Sequence, residues 1–217
     1  MRRTPRSQDS PLTSLREGTT DSRAVESYYD DWADGYDKTL AEWRYRAPED
    51  ACDLLTPHLA DGARVLDVGC GTGLIAESLS QRGDYSIDGM DISADSLQQA
   101  KRRGHYARLL QHDLQDLPLP VPDNAYDAAV SVGVLTYIED GDALLRDLCR
   151  CVGPGGAITF TQRSDLWEER DFAETIDRIA REGLWTHRHV SPPRPYLPGN
   201  ADFSDEILVI HTLCVVS

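Results

Sequence analysis

The chain has 217 residues, a net charge of -15 and 40% hydrophobic residues, which suits one domain with a substantial core. No apolar run approaches the ~20 residues of a membrane span, so no membrane association is expected. A strongly acidic body repels a polyphosphate backbone; nucleic acid is therefore excluded as the expected partner, and a small-molecule substrate is favoured.

Residues 1–22 are rich in Ser, Thr, Pro and Arg, with few large apolar residues, and read as a disordered tail. Five arginines and three acids fall within residues 1–23, leaving the rest of the chain near -17. The basic start is not followed by an apolar stretch, so it does not read as a secretory signal, and Asp9, Glu17 and Asp21 interrupt a transit-peptide pattern. The cysteines stand at positions 52, 70, 149, 151 and 214, with no Cys-x-x-Cys pair and no zinc spacing. No metal is expected, and scattered thiols suit a reducing, cytoplasmic setting.

Residues 23–217 read as a single domain that opens with a helical lid, residues 23–60. Tyr29, Trp32, Ala33 and Tyr36 recur at helical spacing, and Pro48 starts a second helix with Ala51, Leu54, Leu55 and Leu59 on its apolar face. The middle then alternates. "RVLDVG" is a strand and "GLIAESLSQRG" a helix closed by Gly83. "YSIDGMD" is a strand, followed by a helix capped by Ser93 and ended by Gly104. "ARLLQHD" and "YDAAVSVG" are strands, "DGDALLRDLCRCV" a helix, "GPGG" a turn and "AITFTQ" a fifth strand. This alternation predicts a doubly wound, mostly parallel α/β sheet. An insert over residues 161–205 should comprise one amphipathic helix, "SDLWEERDFAETIDRIAREGLW", and a Pro-rich loop, "HRHVSPPRPYLPGN". "EILVIHTLCVV" is a final long strand or bent pair.

The loop Gly69-Cys70-Gly71-Thr72-Gly73, between strand and helix, has the form of a nucleotide-type loop. Leu74-Ile75 stands where a phosphate-binding loop needs Lys and Ser/Thr, and the third glycine comes one residue early for a dinucleotide fingerprint. Asp67 before the glycines would repel pyrophosphate and suits a ligand with an ammonium or sulfonium group. Asp91 ends the second strand, where an acid accepts from ribose hydroxyls. Asp113 ends the third, placed for an adenine amino group with the Leu114 amide beside it. A ligand with amino-acid, ribose and adenine ends meets three acids at successive strand tips.

On "VLDVGCGTG", "GMDIS", "QHDL", "AYDAAVSVGVL" and "VGPGG" the chain resembles the class I S-adenosylmethionine (AdoMet)-dependent methyltransferases over roughly residues 25–165 and the last strand. The resemblance implies a Rossmann-like sheet of seven strands, the last antiparallel between the fifth and sixth, with AdoMet bound and S-adenosylhomocysteine released. Gly69, Cys70, Gly71, Gly73, Ile92 and Ser131 join Asp67, Asp91, Asp113 and Leu114 as cofactor residues on this reading. "YDDWADGYDKTLAEWRYRAPEDACDLL" is similar to the opening of the Williams–Beuren-region methyltransferase-like proteins. That narrower likeness implies that Arg46 faces the cofactor carboxylate and that Tyr29 and Tyr36 sit over the cofactor.

Methyl transfer from a sulfonium is an in-line displacement in which alignment and desolvation supply most of the rate. A base is required only when the nucleophile arrives protonated, and no catalytic triad is apparent. An Asn/Asp-Pro-Pro-aromatic motif, typical of base methylation, is replaced by "SVGVLTYIED". Tyr137 and, in the predicted loop, His189 are the catalytic candidates. A small-molecule acceptor with transfer to O, N or C is expected, from a monomer or homodimer. The open alternative is an AdoMet-binding protein that does not methylate, either a cyclase-type enzyme or an adaptor.

Overall fold

The computed structural model describes residues 18–200 and 207–217, apart from the side chains of residues 31–34 and 36. Most of the expected tail lies outside this range, as do the end of the insert at 201–205 and the side chains of Trp32 and Tyr36.

Helix α1 (Ser22–Glu42) starts where Asp21 accepts from the Ala24 amide at 2.9 Å, satisfying one of the unpaired donors at a helix start. Arg44, at φ 56, follows in the left-handed region, and α2 (Ala47–Leu55) then begins with Pro48 in its first turn. Helices α3 (Leu74–Ser80), α4 (Ala94–Arg103) and α5 (Gly141–Cys151) separate the central strands. Ser93 caps α4, accepting from Ser96 N at 3.0 Å, and Asp140 caps α5, accepting from Ala143 N at 2.9 Å.

Strands β1 (Arg64–Val68), β2 (Ser86–Asp91), β3 (Arg108–Gln111), β4 (Tyr126–Ser131) and β5 (Val152–Arg163) are parallel, in the spatial order β3-β2-β1-β4-β5. The final strand β8 (Leu208–Val216) inserts antiparallel between β5 and β6 (Trp185–Val190), as the resemblance implied. A two-residue strand, β7 (Arg194–Pro195), adds to β8. Both faces are covered by helices, so the central strands read as apolar runs. One core joins Leu66, Ala129, Ile158 and Phe160 to the α5 leucines. The other joins Val65, Val130, Ala157 and Leu213 to α2 and α3. Strand order reverses between β1 and β4, and ligands of such sheets bind at the carboxyl ends of the strands there.

Three local expectations are corrected. The "GPGG" segment belongs to β5: Tyr126 pairs with Val152 and Ala128 with Ala157, so Gly153 to Gly156 form a bulge in the strand. The long helix expected after residue 163 is two helices, α6 (Ser164–Glu169) and α7 (Phe172–Arg181), broken at Asp171, whose φ is 48°. The Pro-rich "loop" begins as strand β6, because the apolar β8 presents it with an edge to pair.

Candidate functional site

A cleft of about 660 Å³, open mouth included, lies over the carboxyl ends of β1, β2 and β4. Its floor is the glycine loop. Gly69, at φ 77°, lies where a Cβ would come 2.1 Å from Val134 Cγ2, so no side chain fits. Gly71, at φ 51°, has nothing within 4 Å of the Cβ position, which leaves the backbone open to a ligand. Asp91 ties this loop to β2: Oδ2 accepts from Gly71 N at 2.8 Å and Oδ1 from Ser93 N at 2.9 Å. Burial raises its pKa, against the pull of those amides. Asp113 Oδ1 accepts from Gln115 N at 3.0 Å, a turn that holds the carboxylate at the β3 tip. The cleft is lined by Tyr29, Gly69, Gly71, Asp91, Ile92, Asp113, Leu114 and Tyr137 from the expected set.

The remaining expected residues are placed elsewhere. Asp67 is 1% exposed and lies behind the loop, where Tyr106 donates to its Oδ2 at 2.6 Å. Its Oδ1 has no partner among the described residues, and burial pushes its pKa to about 7 against the lowering effect of Tyr106. Cys70 is buried beside it, its thiol pushed well up by burial. Gly73 starts α3 and is closed in by Tyr106 and Arg103. Ser131 is buried and in register with Phe160; Val132, Gly133 and Val134 line the cleft in its place. Arg46 stands at the surface. Its side chain is 69% exposed and pairs with Asp50 at 3.4 Å, at the start of α2 and outside the cleft lining.

His189 lies in a strand rather than a loop. It sits on β6 opposite Leu213, and Leu213 is opposite Thr159, itself beside Val130 of β4. Three strand spacings, about 14 Å, separate it from the strand whose tip lines the cleft. Tyr137, in the turn after β4, does line the cleft; its ring stands edge-on to Tyr29 at 5.8 Å and burial pushes its pKa up to about 12.

Sequence reasoning missed Gln115 and Tyr106. Gln115 Nε2 donates to Thr20 O and Ser22 Oγ, both at 2.8 Å, and its Oε1 accepts from Glu139 N at 3.1 Å. It pins the start of the lid to the cleft, and its position directly after "QHDL" was the available signal. Tyr106 had none, because its role depends on Gly73 and Gly89 leaving room for its ring.

The donor set fits AdoMet: an exposed glycine backbone, carboxylates at two further strand tips, and a buried acid with one unpaired oxygen. Fold and site together are those of a class I AdoMet-dependent methyltransferase domain. The methyltransferase domain family matches residues 66–160. The chain is 37% identical to human methyltransferase-like protein 27 over 166 residues, 73% of this chain and 66% of that protein. It is 30% identical over 168 residues to malonyl-[acyl-carrier protein] O-methyltransferase of Serratia marcescens, covering 74% of this chain and 63% of that one. The aligned regions thus span slightly less than two thirds of these relatives. Among solved structures, a complex of the Haloferax volcanii Trm112 methyltransferase activator with a methyltransferase matches at a TM-score of 0.66 and 19% identity, over 87% of this chain and 97% of that one.

Proposed function

We propose that this chain binds AdoMet in the cleft and transfers its methyl group to a small-molecule acceptor. The observation that carries this reading is the placement of Gly71, Asp91 and Asp113 in one cleft under α1. Asp91 receives the ribose hydroxyls, Asp113 and the Leu114 amide receive the adenine, and Asp67 from behind the loop balances the ammonium. The bound sulfonium supplies an activated methyl group and a good leaving group. The protein supplies alignment and exclusion of water. The lid and Tyr29 cover the ligand, and Tyr137 stands at the rim as a positioning group. The acidic body and the covered cleft favour a small acceptor over nucleic acid. A cytoplasmic monomer or homodimer is part of the same proposal.

The test has two stages. Calorimetry with S-adenosylhomocysteine should give saturable binding to the wild type and none to a folded Gly71→Val variant, whose Cβ branch fills the ligand's approach. Methyl-labelled AdoMet incubated with a filtered metabolite extract should then label a small molecule. Binding without any label transferred would favour a non-methylating use of the cofactor.

A further inference from the structure

The corner between α6 and α7 brings a charged side chain to the wall of the cleft from outside it. Helix α6 ends with Arg170 N donating to Leu166 O at 3.0 Å, and Asp171, left-handed at φ 48°, turns the chain into α7. Trp167 and Phe172, on either side of the corner, are buried with ring centres 5.7 Å apart. The half-buried Arg170 reaches from this fixed corner to the turn that follows β4. Its Nη1 donates to Leu135 O at 3.1 Å and to Ile138 O at 2.9 Å, and its Nη2 donates to Thr136 O at 3.2 Å. These carbonyls belong to one short 3-10 turn, Leu135–Tyr137, and its exit. Such a turn ends in carbonyls without helical partners, and a planar guanidinium fork can serve several of them at once.

The same turn forms part of the cleft. Val134, Tyr137 and Ile138 line it, whereas Arg170 lines a neighbouring open hollow with Glu139 and Phe172. The turn also meets the lid at two points. The Tyr137 ring stands edge-on to Tyr29 of α1. Glu139 N donates to Gln115 Oε1 at 3.1 Å, and Gln115 Nε2 donates to Thr20 O and Ser22 Oγ at the start of α1. One run of hydrogen bonds therefore passes from the insert, through the turn, to the lid. The glycine loop is fixed separately, by Asp91 on Gly71 N. Buried carbonyls that lose a charged donor are costly, so without Arg170 the turn would spend part of its time open to water.

Resting on the AdoMet reading of the cleft above, we propose that Arg170 is a positioning residue of the cofactor site. It acts through the turn and not by contact with the ligand. It keeps residues 134–139 in the arrangement that sets Val134, Tyr137 and Ile138 against the ligand and lets Gln115 fasten the start of α1. A ligand that needs an ordered turn binds in proportion to the fraction of molecules that have one. A turn ordered about one tenth of the time weakens the ligand about tenfold. Binding is thus reduced without Arg170, but not abolished, because the glycine loop keeps its own support.

The experiment uses the full chain and S-adenosylhomocysteine. By calorimetry Arg170→Ala should bind about tenfold more weakly than the wild type. Arg170→Lys should fall between the two, because an ammonium keeps the charge and loses the fork. Arg178→Ala removes a partly exposed ion pair between α7 and Asp142 and should bind within about twofold of the wild type. Amide exchange in unliganded Arg170→Ala should quicken at Tyr137, Ile138, Glu139 and the first turn of α1, and stay unchanged in β1 and β2. Free guanidinium ion at low millimolar concentration should slow that exchange again and restore most of the affinity of Arg170→Ala, with no effect on the wild type. A free cation can serve the carbonyls but cannot tether the insert, so this rescue separates ordering of the turn from simple anchorage of α6. Wild-type affinity in a folded Arg170→Ala, or a loss that guanidinium does not reverse, overturns the role of Arg170 and leaves the AdoMet reading standing. Where the alanine variant does not fold, unchanged affinity and exchange in Arg170→Lys do the same. No binding by the wild type overturns both.

Discussion

Asp91 is tied to the backbone around it through both carboxylate oxygens. Its two oxygens already accept from the Gly71 and Ser93 amides, so it shapes the glycine loop and the start of α4 before any ribose arrives. Asp91→Ala should weaken AdoMet and S-adenosylhomocysteine alike by about 2–4 kcal/mol, or roughly 30- to 1000-fold. Asp91→Asn retains one accepting oxygen and should lose less. Calorimetry that found less than a threefold change for the alanine variant would remove Asp91 from the ribose. Arg46 has the opposite standing. Its exposed pair with Asp50 belongs to a class worth about 0–1 kcal/mol. Arg46→Ala should therefore change affinity for AdoMet and for methylthioadenosine by less than about fivefold; a large loss confined to AdoMet would restore it to the carboxylate end. The strand-tip acids were legible because chain order and strand order coincide there. Arg46 was not, because two residues of backbone after the left-handed Arg44 decide which way its side chain points.

Among the elements, α1 is fastened to its neighbours through acidic side chains. Asp30 accepts from Ser93 Oγ at 2.5 Å and so meets the cap of α4, while Asp37 accepts from Thr72 Oγ1 at 2.6 Å and pairs with Arg103 at 2.5 Å. Arg103 also pairs with Glu77. Among the described side chains of α1, Leu40 is the deeply buried one, in a small cluster with Leu197 and Tyr28. An element fastened by partly exposed acids should open more readily than the core. Amide exchange over residues 22–42 should slow when S-adenosylhomocysteine is added. It should be faster in Asp37→Ala, while exchange in β4 and β5 stays unchanged. Equal exchange in all three samples would mark α1 as permanently docked. The strands and helices from 64 to 151 were readable because glycines and capping side chains punctuate them. The region from 164 to 200 was not. The helical apolar pattern runs unbroken through Asp171, which turns left-handed as Asp tolerates. "WTHRHV" carries no alternation because it is an exposed edge strand whose only reason to extend is β8.

The molecule as a whole keeps an acid inside its smaller core. Asp67 shares the sheet face of Val65 and Val130, 1% exposed, with one oxygen on Tyr106 and the other without a partner among the described residues. Perturbed buried acids of this kind cluster at functional sites, where global stability is exchanged for a prepared charge. Its folded pKa of about 7 lies above the value of an unfolded aspartate, about 3.9, and this fixes the sign. Below about pH 4 the group is protonated in both states and imposes no penalty. As pH rises from 4 to 7 the unfolded chain loses the proton more readily, so the contribution of Asp67 to folding falls; above 7 it is flat. Asp67→Asn should therefore gain on the wild type by about 2–3 kcal/mol more at pH 8 than at pH 5, measured by urea unfolding at both. A ligand ammonium changes the balance, because it favours the ionised carboxylate. S-adenosylhomocysteine binding near pH 6.5 should release a proton in the wild type and none in Asp67→Asn, read as a buffer-dependent binding enthalpy in two buffers of different ionisation heat. The same buffer dependence in both proteins would mean that the ammonium is balanced by another group and that Asp67 serves only to orient Tyr106.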